Sequence, residues 1–115
     1  MDETGANGLA DKACVPCRGD VPPLKGKELK KFSAQLPDWK VVEELYIQKV
    51  FLFSDFRKAL DFVNVVGQIA EEQGHHPDLL LSWGKVEAKI NTHKVNGLTE
   101  SDFFLAAKID RAYQQ

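Results

Sequence analysis

The chain predicts an α+β fold, a four-stranded antiparallel sheet with helices packed on one face, in the order α-β-β-α-β-β-α. Three observations predict it. Two pairs of short runs rich in aromatic and β-branched residues, "WKVVEEL" with "YIQKVFLF" and "DLLLSW" with "KVEAKINTH", read as strand pairs. Three stretches with apolar residues at helical spacing precede, separate and follow those pairs. Within each pair the connection is only a few residues long, which joins neighbouring strands antiparallel and leaves one side of the sheet for the helices.

Taken in order, residues Met1 to Leu24 are polar, then proline-containing, too poor in apolar residues to order by themselves; they read as a tail that lies along a domain spanning residues 25–115. The first helix follows from Leu29, Phe32 and Leu36 in "KGKELKKFSAQLPDW", and Pro37 stops it. An acidic junction separates the first two strands. Ser54 is a plausible N-cap for "SDFRKALDFVNVVGQIAEEQG", whose face is drawn by Phe56, Leu60, Val63, Gly67 and Ala70 with Val66 and Ile69 beside them, and Gly74 ends it in the left-handed conformation. In the fourth strand Val86, Ala88 and Ile90 share one side while Glu87, Lys89, Asn91 and His93 share the other, which puts His93 on the polar face or at the strand's end. The last helix opens with Thr99 and Asp102, close to a capping box, and carries Phe103, Ala106, Ala107 and Tyr113.

Composition narrows the function. A chain of 115 residues, 43% hydrophobic, suits one domain. With 15 basic and 17 acidic residues and no long block of one sign, nucleic acid is not expected as a direct ligand. No apolar run nears the roughly 18 residues of a membrane span, and the N-terminus lacks the pattern of a signal peptide, so the expectation is a cytoplasmic protein without a membrane partner. Cys14 and Cys17 form a C-x-x-C outside any strand-turn-helix context, which reads more simply as reduced thiols in the tail than as a redox pair or a zinc site shared between subunits.

The residues that bear chemistry gather in "AEEQGHHPDLLLSWG". Glu71 lies one turn before His75, within reach of an imidazole that follows the helix end. Pro77 pushes His76 into extended backbone, so His75 and His76 point apart and are poorly placed to grip one ion. That divergence, with the lack of a helical His-x-x-x-His pair, argues against a catalytic zinc built from the three histidines, and no metal or cofactor is expected. Nucleophilic catalysis lacks a thiol or a G-x-S-x-G turn in the domain. Acid-base chemistry by imidazole remains. Each residue also has a plain structural reading: a histidine can cap a helix C-terminus, Asp102 can serve only the helix start with Thr99, Glu71 can be surface charge, Trp83 core and Pro77 a helix stop.

The full spacing, Glu71, His75-His76-Pro77, Trp83, His93 and Asp102, resembles the signature of the pterin-4a-carbinolamine dehydratases, together with "CRGDVPPL", "LPDW", "FSDFRKALDFVNVVG" and "GHHPDLLLSWGKVEAKINTHKVNGLTESDFFLAAKID". The resemblance implies dehydration of a 4a-hydroxytetrahydropterin to the quinonoid dihydropterin, recycling the pterin cofactor of aromatic amino acid hydroxylases. It implies His75 and His93 as the acid-base pair and His76 as a pterin-binding histidine that also moves protons. Glu71 would support that cluster, Trp39, Pro77 and Thr92 would lie near the bound ring, and Asp102 would close the motif. It further implies a pterin substrate, a homodimer or homotetramer, and, as the competing reading, a non-catalytic dimerisation cofactor or protein-binding module, since some relatives serve a homeodomain transcription factor.

Overall fold

The computed structural model describes residues 5–15 and 21–114, and these build an antiparallel sheet with its helices gathered on one face. The elements are α1 (Gly5–Ala10), α2 (Gly26–Ser33), β1 (Lys40–Val42), β2 (Tyr46–Leu52), α3 (Phe56–Gln73), β3 (Asp78–Ser82), β4 (Lys85–Ile90), a 3-10 turn (His93–Val95) and α4 (Glu100–Tyr113). From α2 onward this is the order that the sequence predicts. The addition is α1, in the tail.

The strands lie in the order β1-β2-β4-β3, every neighbouring pair antiparallel. Because side chains alternate across a strand, the register decides which residues meet. Ile47 stands opposite Ile90 and Phe51 opposite Val86, while Leu79 and Lys49 flank Ala88. Ile47, Phe51, Val86, Ala88 and Ile90 are closed to solvent, as the period-two reading of β4 requires. The opposite face carries Val50 and Leu80 on either side of Glu87, and Val50 and Leu80 are exposed.

An aromatic cluster joins sheet to helices. The Phe51 ring meets Phe62 of α3 at 5.0 Å, Tyr113 of α4 at 4.9 Å and Trp39 at 5.9 Å between centroids. These contacts decide how α3 sits. The helix has two adjacent apolar stripes, and the sheet takes the one drawn by Ala59, Phe62, Val66 and Ala70, because that one delivers Phe62 to Phe51 and Phe53. The predicted face led by Phe56 is therefore displaced by part of a turn, and Phe56 and Val65 stay exposed. The N-cap is Asp55 rather than Ser54, its Oδ1 accepting the Lys58 N–H at 2.8 Å. Helix α2 ends at Ser33, short of Pro37, but tight turns from Phe32 to Trp39 still bury Leu36.

Burial on α4 runs unbroken from Ser101 to Ala107, which a one-sided amphipathic helix would not show. The second cover is the tail. Leu9 and Ala10 of α1 are buried against α4, Lys108 Nζ donates to the Ala10 carbonyl at 2.6 Å, and Arg111 pairs with Asp11 at 2.8 Å. The tail borrows its apolar partner from the domain, and so orders despite its composition. Trp83, which by its size suggested core, stands 72% exposed in the turn between β3 and β4.

Replacing Phe51 by alanine opens a cavity under three aromatic rings, those of Trp39, Phe62 and Tyr113, and is expected to cost about 3–5 kcal/mol in urea unfolding. Val50→Thr, one residue along and on the open face, is expected to stay within roughly 0.5 kcal/mol of wild type in the same measurement.

Candidate active site at the ends of α3 and α4

Three chain segments converge on one carboxylate. Helix α3 stops at Gly74, whose φ of 64° only glycine adopts freely, and the chain folds back so that the His75 N–H bonds the Ala70 carbonyl. That reversal turns the His75 ring toward the start of α4, where its Nε2–H donates to Asp102 Oδ1 at 2.6 Å. Asp102 is fully buried and His75 is 14% exposed at its side chain. The other carboxylate oxygen accepts the Thr92 hydroxyl and the Thr99 N–H, both at 2.8 Å. Since the Thr92 hydrogen is committed to Asp102, the Thr99 hydroxyl donates to Thr92 Oγ1 at 3.0 Å.

Asp102 thus combines two roles that the sequence left as alternatives. It closes the capping box with Thr99 at the start of α4. It also fixes the tautomer of His75, because a carboxylate that only accepts must receive Nε2–H, leaving Nδ1 without a protein partner among the described residues. An imidazole held at one nitrogen and free at the other can take or give a proton through the free one.

Glu71 does not reach His75. Its Oε2 accepts from His76 Nε2 at 2.5 Å, five residues on, because the reversal at Gly74 sends His75 inward and returns His76 over the last turn of α3. Both members of this second pair are exposed, so the contact orients His76 while contributing little to stability. The two adjacent histidines therefore have separate acidic partners, one buried and one in solvent.

His93 lies beyond β4, which ends at Ile90, and opens the exposed 3-10 turn. Its position is set by Thr92, which bonds Asp102 through its hydroxyl and Gly97 through its backbone. Gly97 is required there: a Cβ would come within 2.9 Å of Pro23. Pro77 is half-buried directly after His76. Thr92 is 4% exposed and acts through Asp102 rather than on an open surface. Trp39, expected near a bound ring, is a core residue at 2% exposure, its indole N–H donating to Asp110, which Lys49 Nζ also binds at 2.7 Å. Asp110 is eight residues beyond Asp102 on the same helix, roughly 12 Å at the rise of an α-helix, so Trp39 is not gathered with the histidines.

Among the described residues no three His, Cys, Asp or Glu side chains converge as a metal would need. Cys14 is half-buried, and that burial pushes its thiol up from 9.0 to about 11. Cys17 lies outside the described residues. No described helix is long and apolar enough to cross a membrane.

The profile of the family described as "Pterin 4 alpha carbinolamine dehydratase" matches residues 22–112, which take in the whole sheet, α2, α3, and α4 almost to its end. The chain belongs to the pterin-4a-carbinolamine dehydratase family. A relative from Rubrobacter xylanophilus that bears the family's name is 59% identical over 103 residues, covering 90% of this chain and 96% of that protein. Another, from Alkaliphilus metalliredigens, is 50% identical over 106 residues, 91% and 96% of the two chains. Among solved structures, a "transcriptional coactivator/pterin dehydratase" from Brucella melitensis superposes with a TM-score of 0.73 at 30% identity, covering 77% of this chain and 96% of that one. A pterin dehydratase-like RuBisCO assembly factor of the α-carboxysome shares the fold, with a TM-score of 0.58 at 19% identity over 66% of this chain and 89% of that one.

What sequence reasoning missed in this dehydratase-family site is the bond between His75 and Asp102, 27 positions apart. The available signal was the near-capping box, which placed Asp102 at a helix start but not what lay in front of it. Thr92→Val, which removes one of the carboxylate's donors without changing side-chain size, is expected to lower stability by about 1–2 kcal/mol in urea unfolding. In a Cys17→Ser background, Cys14 is expected to react with iodoacetamide at pH 8 about a hundredfold more slowly than an ordinary thiol, the thiolate deficit that follows from its raised pKa.

Proposed function

We propose that the chain is a 4a-hydroxytetrahydropterin dehydratase working by histidine acid-base catalysis. The observation that carries this reading is the buried Asp102 carboxylate, which holds His75 by Nε2 and leaves Nδ1, without a partner among the described residues, for proton transfer. In the reaction the C4a–O bond breaks, the departing hydroxide takes a proton and leaves as water, and a ring nitrogen loses its proton as its electron pair forms the new double bond to C4a. One donor and one acceptor are needed, and imidazole exchanges protons near neutral pH without further activation. His75 and His93 form the acid-base pair, both referred to Asp102, one by a direct bond and the other through its chain neighbour Thr92. His76, exposed and oriented by Glu71, binds the pterin and relays protons. Pro77, half-buried after it, borders the ring. Asp102 and Thr92 act through His75 and the turn before α4, as positioning groups. The family match and the relatives' shared name support the same substrate class. Recycling the pterin cofactor of aromatic amino acid hydroxylases is the process such a reaction would serve.

The Brucella structure's designation as a coactivator favours a second reading, a protein-binding module. A pure scaffold would need none of the three histidines, nor a buried carboxylate spent on one of them.

The deciding measurement is the loss of freshly generated 4a-hydroxytetrahydropterin, followed by ultraviolet absorbance. Wild type is expected to exceed the spontaneous rate, and His75→Ala and His93→Ala, both folded, to lose roughly a hundredfold to ten-thousandfold of that acceleration. A wild-type rate equal to the spontaneous one would remove the dehydratase reading and leave the binding module.

A further inference from the structure

The family match begins at residue 22, yet residues 8–15 make specific bonds to the two helix ends that present the site. Cys14 N–H donates to Gln73 Oε1 at 3.0 Å. Gln73 is the last residue of α3, two before His75. Val15 N–H donates to Ser101 Oγ at 3.0 Å, and that hydroxyl returns a bond to the Val15 carbonyl at 3.3 Å. Ser101 is 3% exposed and directly precedes Asp102. The Cys14 thiol adds a longer contact to the Ser101 carbonyl at 3.5 Å. Two consecutive residues of the tail therefore hold the C-terminal end of α3 with one and the N-terminal end of α4 with the next. The tail itself is anchored on α4 through Leu9, Ala10, Lys108 and Arg111.

We propose that Cys14 and Val15 form a clasp that sets the His75 to Asp102 geometry, with Gln73 and Ser101 as positioning residues; its catalytic consequence rests on the dehydratase reading. The physical need is plain. Helix ends fray at low free-energy cost, and His75 hangs from the last turn of α3 by one left-handed glycine. Asp102 by contrast is fixed in the body of the domain, fully buried and capped. Fraying at Gln73 would move His75 relative to a carboxylate that stays still. A backbone donor supplied by the tail keeps that turn closed. Misplacement of a catalytic group by a fraction of an ångström lowers the rate without removing any reacting atom.

The test uses the full chain with ¹⁵N-labelled histidine and reads the exchange rate of the His75 Nε2–H proton, alongside amide exchange at core residues such as Ala88. Gln73→Ala is expected to speed His75 proton exchange by about tenfold, the scale of one hydrogen bond, while the core amides keep wild-type rates. Gln73→Glu retains the acceptor oxygen and is expected to restore slow exchange. Ser101→Ala, which cuts the clasp from the other side, should reproduce the Gln73→Ala pattern. In the dehydration assay kcat is expected to fall roughly tenfold in the two alanine variants with KM within about twofold, short of the hundredfold that a full ångström costs. Unchanged His75 exchange in both alanine variants would overturn the clasp, as would a rise shared equally by the core amides, which would mean global loosening. The exchange readout needs no pterin, so an inactive wild type would overturn the dehydratase reading while the exchange rates still decide the clasp.

Discussion

A carboxylate with no exposed surface has to be filled by donors, since each ion taken out of water costs several kcal/mol unless its oxygens are satisfied. Asp102 draws its three donors from three places: His75 after α3, Thr92 after β4 and Thr99 at the start of α4. Satisfying one buried group therefore fixes the relative position of a helix end, a strand end and a helix start. Thr92 in turn holds Gly97, Gly97 admits Pro23 over it, and the Leu24 N–H closes on the Leu98 carbonyl at 2.8 Å. The turn that carries His93 is shaped by the same carboxylate that orients His75.

The sheet supplies the rigid floor for this arrangement. One face is sealed by Ile47, Phe51, Val86, Ala88 and Ile90, and the helices that seal it are the ones whose ends meet at Asp102. The aromatic contacts of Phe51 with Phe62 and Tyr113 lock α3 and α4 to the strands. Precision at the site is thus inherited from packing at the other end of the same helices, where Asp110 binds Trp39 and Lys49. Side chains on element ends backed by a rigid body hold their geometry better than side chains on free loops.

Much of the fold is legible in the sequence because it rests on periodicity. The alternation of Val86, Ala88 and Ile90 is decided within six residues, and Gly74 announces a helix end by a conformation other residues avoid. The burial face of α3 is harder, since two apolar stripes lie side by side and only the tertiary position of Phe51 chooses between them. The same limit applies to the site. Spacing shows that Glu71 and His75 are one turn apart, but the left-handed residue between them redirects the chain, so Glu71 meets His76 instead. The partner of His75 comes from 27 residues away, and no local rule links them. Trp83 departs from its core reading for the opposite reason: its bulk suggests burial, while its place in a two-residue turn denies it.

The neighbouring histidines show what burial does to one kind of side chain. His76 and Glu71 make a contact as close as that of His75 and Asp102, yet with both members open to water either can swing away at little cost. His75 cannot leave Asp102 without orphaning a buried charge. Distance alone would rank the pairs as equals. Their environments instead make one imidazole a fixed group with a defined tautomer and the other an adjustable one, a division that a single backbone reversal at Gly74 creates from two identical residues.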